Sequence, residues 1–556
     1  MTSGPEVGRA TARTRARRLA LALGGGLALY AAHPPLELGW LGLVAVAPLA
    51  ALARDVGRGP RPLRTGFGWG LLAGLAFFGP LVEWIRFIGE WVAWPLLATS
   101  QALAVGAFVA GLAWWGERGE ATDRRGRLVS GWWRPAMVTA WWVALELMRS
   151  HAPLGGFPWG VLGYTQADGG PVLQVARTLG VLGVSAWCAA IGACVEEAVH
   201  RARTALVGGI PAEGSGRAQM VFDAGGVPLG AVLVLLVTAV LVGGDPPEPT
   251  GQVVDVGAVQ GFDGVVSPAP GSNRALSTAD GMLETTARMV AEGGVPDVTV
   301  WPESAIDADP DRVPELAQTL RAGLALLDGG PLLAGMVADG PRPGTSYNQL
   351  TRFSGDDLER EATYVKRRPV PFGEYVPYRR YLDWFPPLRR TPVDRLAGDE
   401  AVGMAAGPAR FGALICYDIA YRSMVRDAVA AGADVLLVVT NNSSYGVTAM
   451  SDQHIAFSRL RAVETGRHVL HAALTGVSAV IDPEGRVTQR TGHFQQAVIR
   501  AELPLVEDTT PAQALGGLVG WLAVALAAAG ALTRLMGQRG VGRGPAVRMA
   551  WGRGAG

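Results

Sequence analysis

Residues 226–260 read GVPLGAVLVLLVTAVLVGGDPPEPTGQVVDVGAVQ, and the pattern of the chain changes within this stretch. Residues 226–243 are almost entirely apolar, which is typical of a helix that crosses a bilayer, where about 20 such residues are needed. The proline-rich run at 246–249 is a linker, and residues 252–260 are rich in valine, as β-strands are. The stretch therefore predicts a helical membrane domain before it and a domain with a β-sheet after it.

The composition agrees with a membrane protein and excludes several other classes. Charged residues make up 17% of the 556 residues, whereas a soluble domain has about 25%. The net charge of +1 gives no electrostatic basis for binding nucleic acid. Three cysteines are too few for a disulfide framework or a four-cysteine zinc site, and only Cys416 lies outside an apolar run. A chain of this length is also expected to contain more than one structural unit.

Apolar stretches predict about eight membrane spans. They lie near residues 19–32, 36–53, 66–86, 92–115, 134–148, 171–195, 226–243 and 513–535. The first stretch follows a basic region and could instead be a cleaved signal peptide. We favour an uncleaved anchor, because so many spans follow it.

Arginines decide the predicted topology, because basic residues are enriched in cytoplasmic loops. They cluster before the first span and after the second, fourth, sixth and last spans, whereas the alternate loops hold few. Both termini are therefore predicted to be cytoplasmic, with the segment after the seventh span outside. The predicted domain organisation has five parts. They are a basic cytoplasmic tail at 1–18, a membrane domain of about seven helices at 19–245, an extracytoplasmic domain at 250–505, a C-terminal transmembrane helix at 513–535 and a basic cytoplasmic tail at 536–556.

The extracytoplasmic part alternates short β-rich runs with helical ones, which predicts a layered α/β domain. Strands are expected at 252–260, 297–301, 331–337, 347–353, 410–415, 434–440, 468–474, 477–481 and 497–503. Helices are expected at 279–293, 312–327, 418–430 and 452–466.

Polar or reactive side chains follow three of these strands, where the chemistry of α/β sheets collects. Glu303 comes after the strand at 297–301, Cys416 after the strand at 410–415, and Asn441 and Asn442 after the strand at 434–440. Lys366 lies between Glu303 and Cys416 in the chain. Each residue alone has an ordinary explanation, as a solvated acid, a small core residue or a basic surface. Together they provide a thiolate nucleophile with the base and the cation that it needs.

The sequences around these residues resemble a known superfamily. WPESA (301–305), YVKRRPVPFGEYVP (364–377) and ALICYDI (413–419) are similar to motifs of the Glu-Lys-Cys nitrilases, and TNNSSYG (440–446), QHIAFSRLRAVETGR (453–467) and LTGVSAVIDPEGRV (474–487) extend the likeness. Combined with seven preceding spans, one following span, GGFPWGVLGYTQ (155–166) and Val259-Gln260-Gly261, the chain resembles the bacterial apolipoprotein N-acyltransferase family. It departs from that family in two places, since no tryptophan follows Gly261 in FDGVVSPAP and Asp418 stands where the family has Glu.

The resemblance implies a polytopic α-helical membrane domain plus a nitrilase-like αββα sandwich. It implies that Glu303 is the base and Cys416 the nucleophile. Lys366, with the backbone N–H after Cys416, would stabilise the oxyanion. Glu374 corresponds to a supporting acid of the family.

Asn348, Tyr417 and Asp418 carry over as supporting or substrate-binding residues. The implied reaction transfers an acyl chain from a membrane phospholipid, through a cysteine thioester, to the S-diacylglyceryl cysteine of an apolipoprotein. No cofactor, metal or nucleic acid is implied, and we expect a monomer in the bacterial plasma membrane.

Several other classes of protein fit the sequence less well. A membrane-tethered amidase or nitrilase would use the same residues on a small amide or nitrile, but would not need seven spans for a soluble substrate. A transporter would favour ionisable groups inside its spans, where Glu146 is the only obvious one. A serine hydrolase would need G-x-S-x-G, and a P-loop would need a lysine after glycine. The aromatic and arginine-rich segment 375–390 fits either a membrane interface or an ordinary surface loop.

Overall fold

The computed structural model describes the backbone of residues 4–87, 91–116, 126–207, 216–261, 274–355, 358–382, 384, 388 and 391–540. Side chains are described for residues 12–87, 91–116, 133–206, 226–261, 274–355, 358–382, 384, 388 and 391–536. The stretch FDGVVSPAP at 262–270, most of the predicted tail at 536–556 and parts of 1–18 and 375–390 lie outside these residues.

The N-terminal half is a bundle of helices. Its helices are α1 (Gly4–Ala31), α2 (Gly39–Gly42), α3 (Val46–Gly57), α4 (Pro62–Leu81), α5 (Ala93–Trp115), α6 (Gly126–Arg149), α7 (Pro171–Gln174), α8 (Ala176–Val207) and α9 (Gly216–Gly243). Together with the last helix of the chain, they form what we call the helical body.

Helices lie at all eight predicted span positions, but the count of eight spans is not confirmed. Within the described residues, five segments are long and apolar enough to cross a membrane: Gly39–Gly57, Ala93–Trp115, Ala176–Leu206, Gly226–Gly243 and Pro511–Met536. Two predicted spans are not single straight helices. The second is divided into α2 and α3, and the sixth into α7 and α8, with a non-helical Gly180 (φ 68°) inside α8.

Small residues let two helices of the body approach closely. Gly66, Gly70 and Gly74 lie one turn apart on α4 and face α5. A Cβ atom at Gly70 would stand 2.7 Å from the carbonyl oxygen of Val105, and one at Gly74 would stand 2.7 Å from Cα of Ala102. Such small-residue stripes are typical of helices that associate in lipid, where close packing replaces the hydrophobic effect.

The C-terminal half is an α/β sandwich of two sheets. Its strands are β1 (Val253–Gln260), β2 (Val298–Ile306), β3 (Leu332–Asp339), β4 (Thr345–Ser354), β5 (Glu359–Val365), β6 (Asp394–Leu396), β7 (Gly403–Ala406), β8 (Ala409–Ile415), β9 (Val435–Thr440), β10 (Val469–Ala473), β11 (Ala479–Ile481), β12 (Val487–Arg490) and β13 (Ala497–Pro504). Its helices are α10 (Arg274–Gly293), α11 (Pro314–Leu326), α12 (Arg379–Leu382), α13 (Arg422–Ala430) and α14 (Met450–Thr465). The chain then ends in α15 (Pro511–Gly540), which packs against α6 and α8 of the body.

The sandwich has the layer order helix, sheet, sheet, helix. One sheet has the strand order β13-β1-β2-β3-β4-β5, with β6 beside β4, and the other has the order β12-β11-β10-β9-β8-β7. Valine, leucine and alanine side chains from both sheets form the core between them. Helices α10 and α11 cover the outer face of the first sheet, and α13 and α14 cover the second. The predicted α/β nitrilase-like architecture is confirmed, whereas β5, β6, β7 and β12 were not predicted.

The outer layer of the sandwich and the helical body share one continuous core. Apolar residues of α13 and α14 are buried together with residues of α1, α3, α4 and α8. On α14, Phe457 packs edge-on against Trp159 and Tyr164 of the body, with ring centroids 4.5 and 4.3 Å apart. The body therefore lies directly behind the sheet that carries Cys416.

Candidate active site

The three residues singled out from the sequence come from three different strands. Glu303 lies within β2, at an irregularity where the register with β3 shifts between Trp301 and Ile306. Lys366 directly follows β5, and Cys416 directly follows β8. The two sheets bring these strand ends together, so that Glu303, Lys366 and Cys416 interact electrostatically in one buried site.

Lys366 lies at the centre of the site between two carboxylates. Its Nζ is 3.2 Å from Oε1 of Glu303 and 2.9 Å from Oε2 of Glu374. The side chain is almost fully buried. Burial alone would lower its pKa, but the two carboxylates outweigh burial and raise the pKa well above the ordinary lysine value. Lys366 is therefore a fixed ammonium at neutral pH.

The two acids share Asn348 as an additional partner, and each has further partners of its own. The amide Nδ2 of Asn348 donates to Oε1 of Glu303 at 2.6 Å and to Oε1 of Glu374 at 3.2 Å, so it joins the two carboxylates. The backbone N–H of Asn441, just after β9, donates to the second oxygen of Glu303 at 2.7 Å. Glu303 is thus held in one orientation by donors from three elements.

Glu374, the second carboxylate beside the lysine, has two further partners. It also accepts a hydrogen bond from the backbone N–H of Val370 (2.8 Å) and pairs with Arg395 (3.3 Å). Burial raises the pKa of Glu374, but Lys366 and Arg395 more than offset this effect, and the net shift is downward. The ionised carboxylate of Glu374 therefore holds the ammonium of Lys366 in position.

Cys416 begins the 3₁₀ turn Cys416–Ala420 and has a left-handed backbone with φ of 50°. Burial raises the pKa of its thiol to about 12; Glu303 adds to the increase, and Lys366 opposes it. The resting residue is therefore a thiol at neutral pH. A thiolate must be formed by local proton transfer, because only the thiolate is nucleophilic.

The two residues after Cys416 make contacts with protein groups. Oδ2 of Asp418 accepts from the hydroxyl of Tyr364 (2.7 Å) and the N–H of Ile415 (3.1 Å), and Oδ1 accepts from the N–H of Arg368 (2.9 Å). Asp418 is fully buried, so it joins the cysteine turn to the segment after Lys366. The hydroxyl of Tyr417 donates to the carbonyl of Gly156 at 3.3 Å.

The motif GGFPWG (155–160) from the helical body reaches the residues after Cys416, a contact that its sequence does not predict. The Gly156 carbonyl also accepts from Tyr421 at 2.8 Å. The guanidinium of Arg149 binds the backbone of the same motif, donating to the carbonyls of Phe157, Trp159 and Gly160 at 3.2, 2.5 and 2.7 Å. The motif resembles a family signature, but nothing in its spacing indicates what it contacts.

An open cleft of about 580 Å³ borders the site at Glu374. Its walls come from the ends of β2 and β3 and the start of β4, with Asp307, Asp339, Thr345 and Arg395 among the lining residues. Within the part of the chain that the structure describes, no group of three or more His, Cys, Asp or Glu side chains could hold a metal ion.

Two family models match the chain. Residues 266–510 match the carbon-nitrogen hydrolase model, so the sandwich belongs to that class of domain. Residues 25–194 match the apolipoprotein N-acyltransferase N-terminal domain.

Curated relatives match most of the chain. The apolipoprotein N-acyltransferase of Mycolicibacterium smegmatis is 32% identical over 91% of this chain and 83% of the relative. That of Caulobacter vibrioides is 31% identical over 91% of this chain and 92% of the relative. The chain belongs to the apolipoprotein N-acyltransferase family.

Among solved structures, an amidase from Nesterenkonia sp. is similar over 47% of this chain and 93% of the amidase, with 19% identity and a TM-score of 0.33. Nit3 of Saccharomyces cerevisiae, a member of the nitrilase superfamily, covers 47% of this chain and 93% of its own, with 16% identity and a TM-score of 0.36.

Proposed function

We propose that the protein N-acylates the N-terminal S-diacylglyceryl cysteine of apolipoproteins with an acyl chain from a membrane phospholipid. The observation that carries the proposal is the buried Lys366 between Glu303 and Glu374, in electrostatic contact with Cys416. A base, a cation and a thiol in one site provide the groups that thioester chemistry needs. Membership of the family provides the substrate class.

In the first half-reaction, Glu303 accepts the thiol proton of Cys416, and the thiolate attacks the ester carbonyl of the phospholipid, for which we propose the sn-1 ester. The ammonium of Lys366 and the backbone N–H of Tyr417 stabilise the oxyanion that develops on the carbonyl oxygen. When the carbon–oxygen bond to glycerol breaks, Glu303 returns the proton to the leaving alkoxide. A lysophospholipid departs, and the acyl group remains on Cys416 as a thioester.

In the second half-reaction, the α-amine of the S-diacylglyceryl cysteine attacks the thioester carbonyl. The same two donors stabilise the oxyanion, and Glu303 accepts the proton that the amine loses. The carbon–sulfur bond then breaks, an amide remains on the acceptor, and Glu303 reprotonates Cys416. Glu374 and Asn348 hold Lys366 and Glu303 in place through both halves, while Tyr417 and Asp418 support the cysteine turn.

The proposal includes the topology predicted from the arginines. The protein lies in the bacterial plasma membrane as a monomer, with the tails at 1–18 and 536–556 in the cytoplasm and the sandwich at 250–505 outside. The membrane domain at 19–245 and the helix at 513–535 hold the sandwich at the membrane surface.

Exposed aromatic side chains favour a lipid substrate over the alternative, a small amide or nitrile. Tyr378, Tyr381 and Trp384 are 71, 60 and 74% exposed, and Arg380 lies 4.5 Å from the ring of Tyr381. Aromatic and cationic side chains of this kind suit the headgroup region of a bilayer. They belong to the segment after Glu374, so a membrane contact here would bring lipid beside the site.

The test is an acyl-transfer assay with detergent-solubilised protein, phospholipid and a diacylglyceryl lipopeptide, read by mass spectrometry. We expect a triacylated lipopeptide and, when the acceptor is omitted, a hydroxylamine-sensitive acyl group on Cys416. Cys416→Ala should lose both, while replacement of Cys188 and Cys194 should have little effect. Release of ammonia from small amides or nitriles without lipopeptide acylation would favour the amidase instead, and acyl labelling that survives Cys416→Ala would remove the nucleophile.

A further inference from the structure

The backbone carbonyl of Cys416 has a side-chain partner that the proposed mechanism does not use. Nε2 of His454, on α14, lies 3.0 Å from this carbonyl oxygen. The imidazole is buried, and burial lowers the pKa of His454 to about 4, so the ring is neutral and carries a single N–H. Because a carbonyl oxygen only accepts hydrogen bonds, the N–H is on Nε2 and donates to Cys416.

This carbonyl belongs to the same peptide unit as the N–H of Tyr417. A trans peptide unit is planar, and its C=O and N–H point in opposite directions. A hydrogen bond that fixes the direction of the Cys416 carbonyl therefore also fixes the direction of the Tyr417 N–H. It also polarises the unit, which makes that N–H a stronger donor.

The peptide unit needs such a restraint. Cys416 has φ of 50°, a conformation that residues other than glycine adopt only when their surroundings hold them. The Ile415 N–H is fixed by Asp418 at 3.1 Å on the side before Cys416. His454 provides the restraint on the carbonyl side.

The turn that carries His454 is itself fixed on the helical body by its neighbour Gln453. Oε1 of Gln453 accepts from the indoles of Trp84 (3.0 Å) and Trp159 (2.5 Å). Its Nε2 donates to the carbonyls of Pro34 and Leu81, each at 3.1 Å. The amide thus makes four hydrogen bonds, all to segments of the body, which defines where the first turn of α14 lies.

We infer that His454 is a positioning residue for the proposed acyl transfer, whose hydrogen bond to the Cys416 carbonyl aims the Tyr417 N–H at the acyl oxyanion. The inference rests on the proposed function. It assigns a role to His454, and it links the oxyanion donor to the body through α14.

The test compares three substitutions of His454, to Gln, Asn and Leu, which differ in where they place a hydrogen-bond donor. Gln places its amide nitrogen near the position of Nε2, whereas Asn is too short to reach the carbonyl and Leu has no donor. Two rates are measured for each detergent-solubilised variant: single-turnover acylation of Cys416 by phospholipid, and alkylation of Cys416 by iodoacetamide. Alkylation is a direct displacement at carbon and forms no oxyanion, so it reports the thiol without the oxyanion donor.

We expect His454→Leu and His454→Asn to slow acylation by at least about tenfold, less than the roughly 10²–10³ lost with a whole oxyanion donor. Alkylation should stay within about twofold of wild type, and His454→Gln should restore most of the acylation rate. His468→Leu, at a partly buried histidine beside Pro504, is the matched control and should leave both rates unchanged.

Three results would overturn the inference: normal acylation in His454→Leu, equal loss in the Leu and Gln variants, or a parallel fall of acylation and alkylation. The last would show a general disturbance of the cysteine turn. These outcomes differ from a failure of the proposed function, in which wild-type protein itself forms no acyl thioester on Cys416.

Discussion

Lys366 is the only lysine in a chain where lysine and arginine together number 49, so arginine stands at all the other 48 positions. The structure gives a physical reason for the exception. The ammonium makes contacts of 3.2 and 2.9 Å with two carboxylates in a buried site, next to the position of the oxyanion. A guanidinium is larger, planar and forked, so it would displace a carboxylate or the acyl group from this space.

We predict that Lys366→Arg folds and inserts normally but loses most thioester formation, by roughly 10²–10³, as expected for the loss of one oxyanion donor. The measurement is the single-turnover acylation of Cys416 with fluorescent phospholipid. Arg367→Lys is the matched control, because Arg367 pairs with Asp427 at 3.0 Å at the edge of the site and needs only a positive charge. If Lys366→Arg kept close to wild-type turnover, Lys366 would provide only a buried positive charge and would not be a specific oxyanion donor.

A second residue-scale prediction concerns Glu303→Gln and the pH dependence of the thiol. The negative charge of Glu303 raises the pKa of Cys416, so its removal should lower that pKa and move the alkylation profile toward lower pH. Acyl transfer should nevertheless be lost, because the amide cannot accept the thiol proton. Alkylation with iodoacetamide over a pH series and the acylation assay give the two readings.

Lys366→Met should instead raise the pKa of Cys416 and move the alkylation profile toward higher pH, because Lys366 lowers that pKa. This variant is the control for Glu303→Gln. Profiles that move in the same direction in both variants would contradict the electrostatic account of the site.

At the scale of elements, the hydrophobic strands of the sandwich could be predicted, whereas its short or solvent-exposed strands could not. Strands such as β9, which is buried at every position, stand out as apolar runs. By contrast, β12 has the sequence VTQR and is exposed along most of its length, and β6 has only three residues. Their position comes from pairing with a neighbouring strand, which leaves no periodic signal in the sequence.

The same division holds for the candidate site. Glu303 and Cys416 could be chosen because reactive side chains after predicted strands are visible in the sequence, and Lys366 because it is the one lysine of the chain and lies between them. The backbone N–H of Asn441 and the imidazole of His454 could not, because every residue has an N–H and a lone buried histidine is usually structural. Their roles depend on tertiary contacts between different sheets and helices.

The element that joins the two halves of the molecule yields a further prediction, Gln453→Leu. The change leaves four buried polar groups of the helical body without partners. Each such group costs about 1–3 kcal/mol, so we expect a loss of at least about 3 kcal/mol in the free energy that docks α14 on the body. Thermal unfolding in detergent and limited proteolysis between the two halves should reveal it.

Gln489→Leu is the matched control for this change. Gln489 lies on the exposed strand β12 and makes one hydrogen bond, to the carbonyl of Arg500 at 2.9 Å. Loss of this hydrogen bond in Gln489→Leu should hardly alter the unfolding temperature. Equal effects of the two substitutions would mean that the four contacts of Gln453 contribute nothing specific to docking.

At the scale of the whole molecule, a cluster of ion pairs lies at one end of α8, and the other end of α8 contacts the sandwich. Arg54 pairs with Glu196 and Glu197 at 2.9 and 2.7 Å, which ties α3 to α8. Near the other end of α8, Arg177 donates to the carbonyl of Pro483 in the sandwich at 3.1 Å. The continuous helix of α8 from Val181, just after the non-helical Gly180, to Glu197 is roughly 24 Å long, most of the roughly 30 Å of a hydrocarbon core.

This separation supports the final prediction, on topology. The end with Arg54 also carries Arg17 and Arg18, which pair with Asp55 at 3.2 and 2.6 Å, so the basic groups gather on the side away from the sandwich. Basic residues favour the cytoplasmic side, so the sandwich should lie outside. Alkaline phosphatase fused near residue 260 should be active and green fluorescent protein there dark, with the reverse pattern for fusions at the C-terminus. If both positions reported the cytoplasm, the sandwich would lie inside, and the acyl acceptor would have to be a cytoplasmic amine.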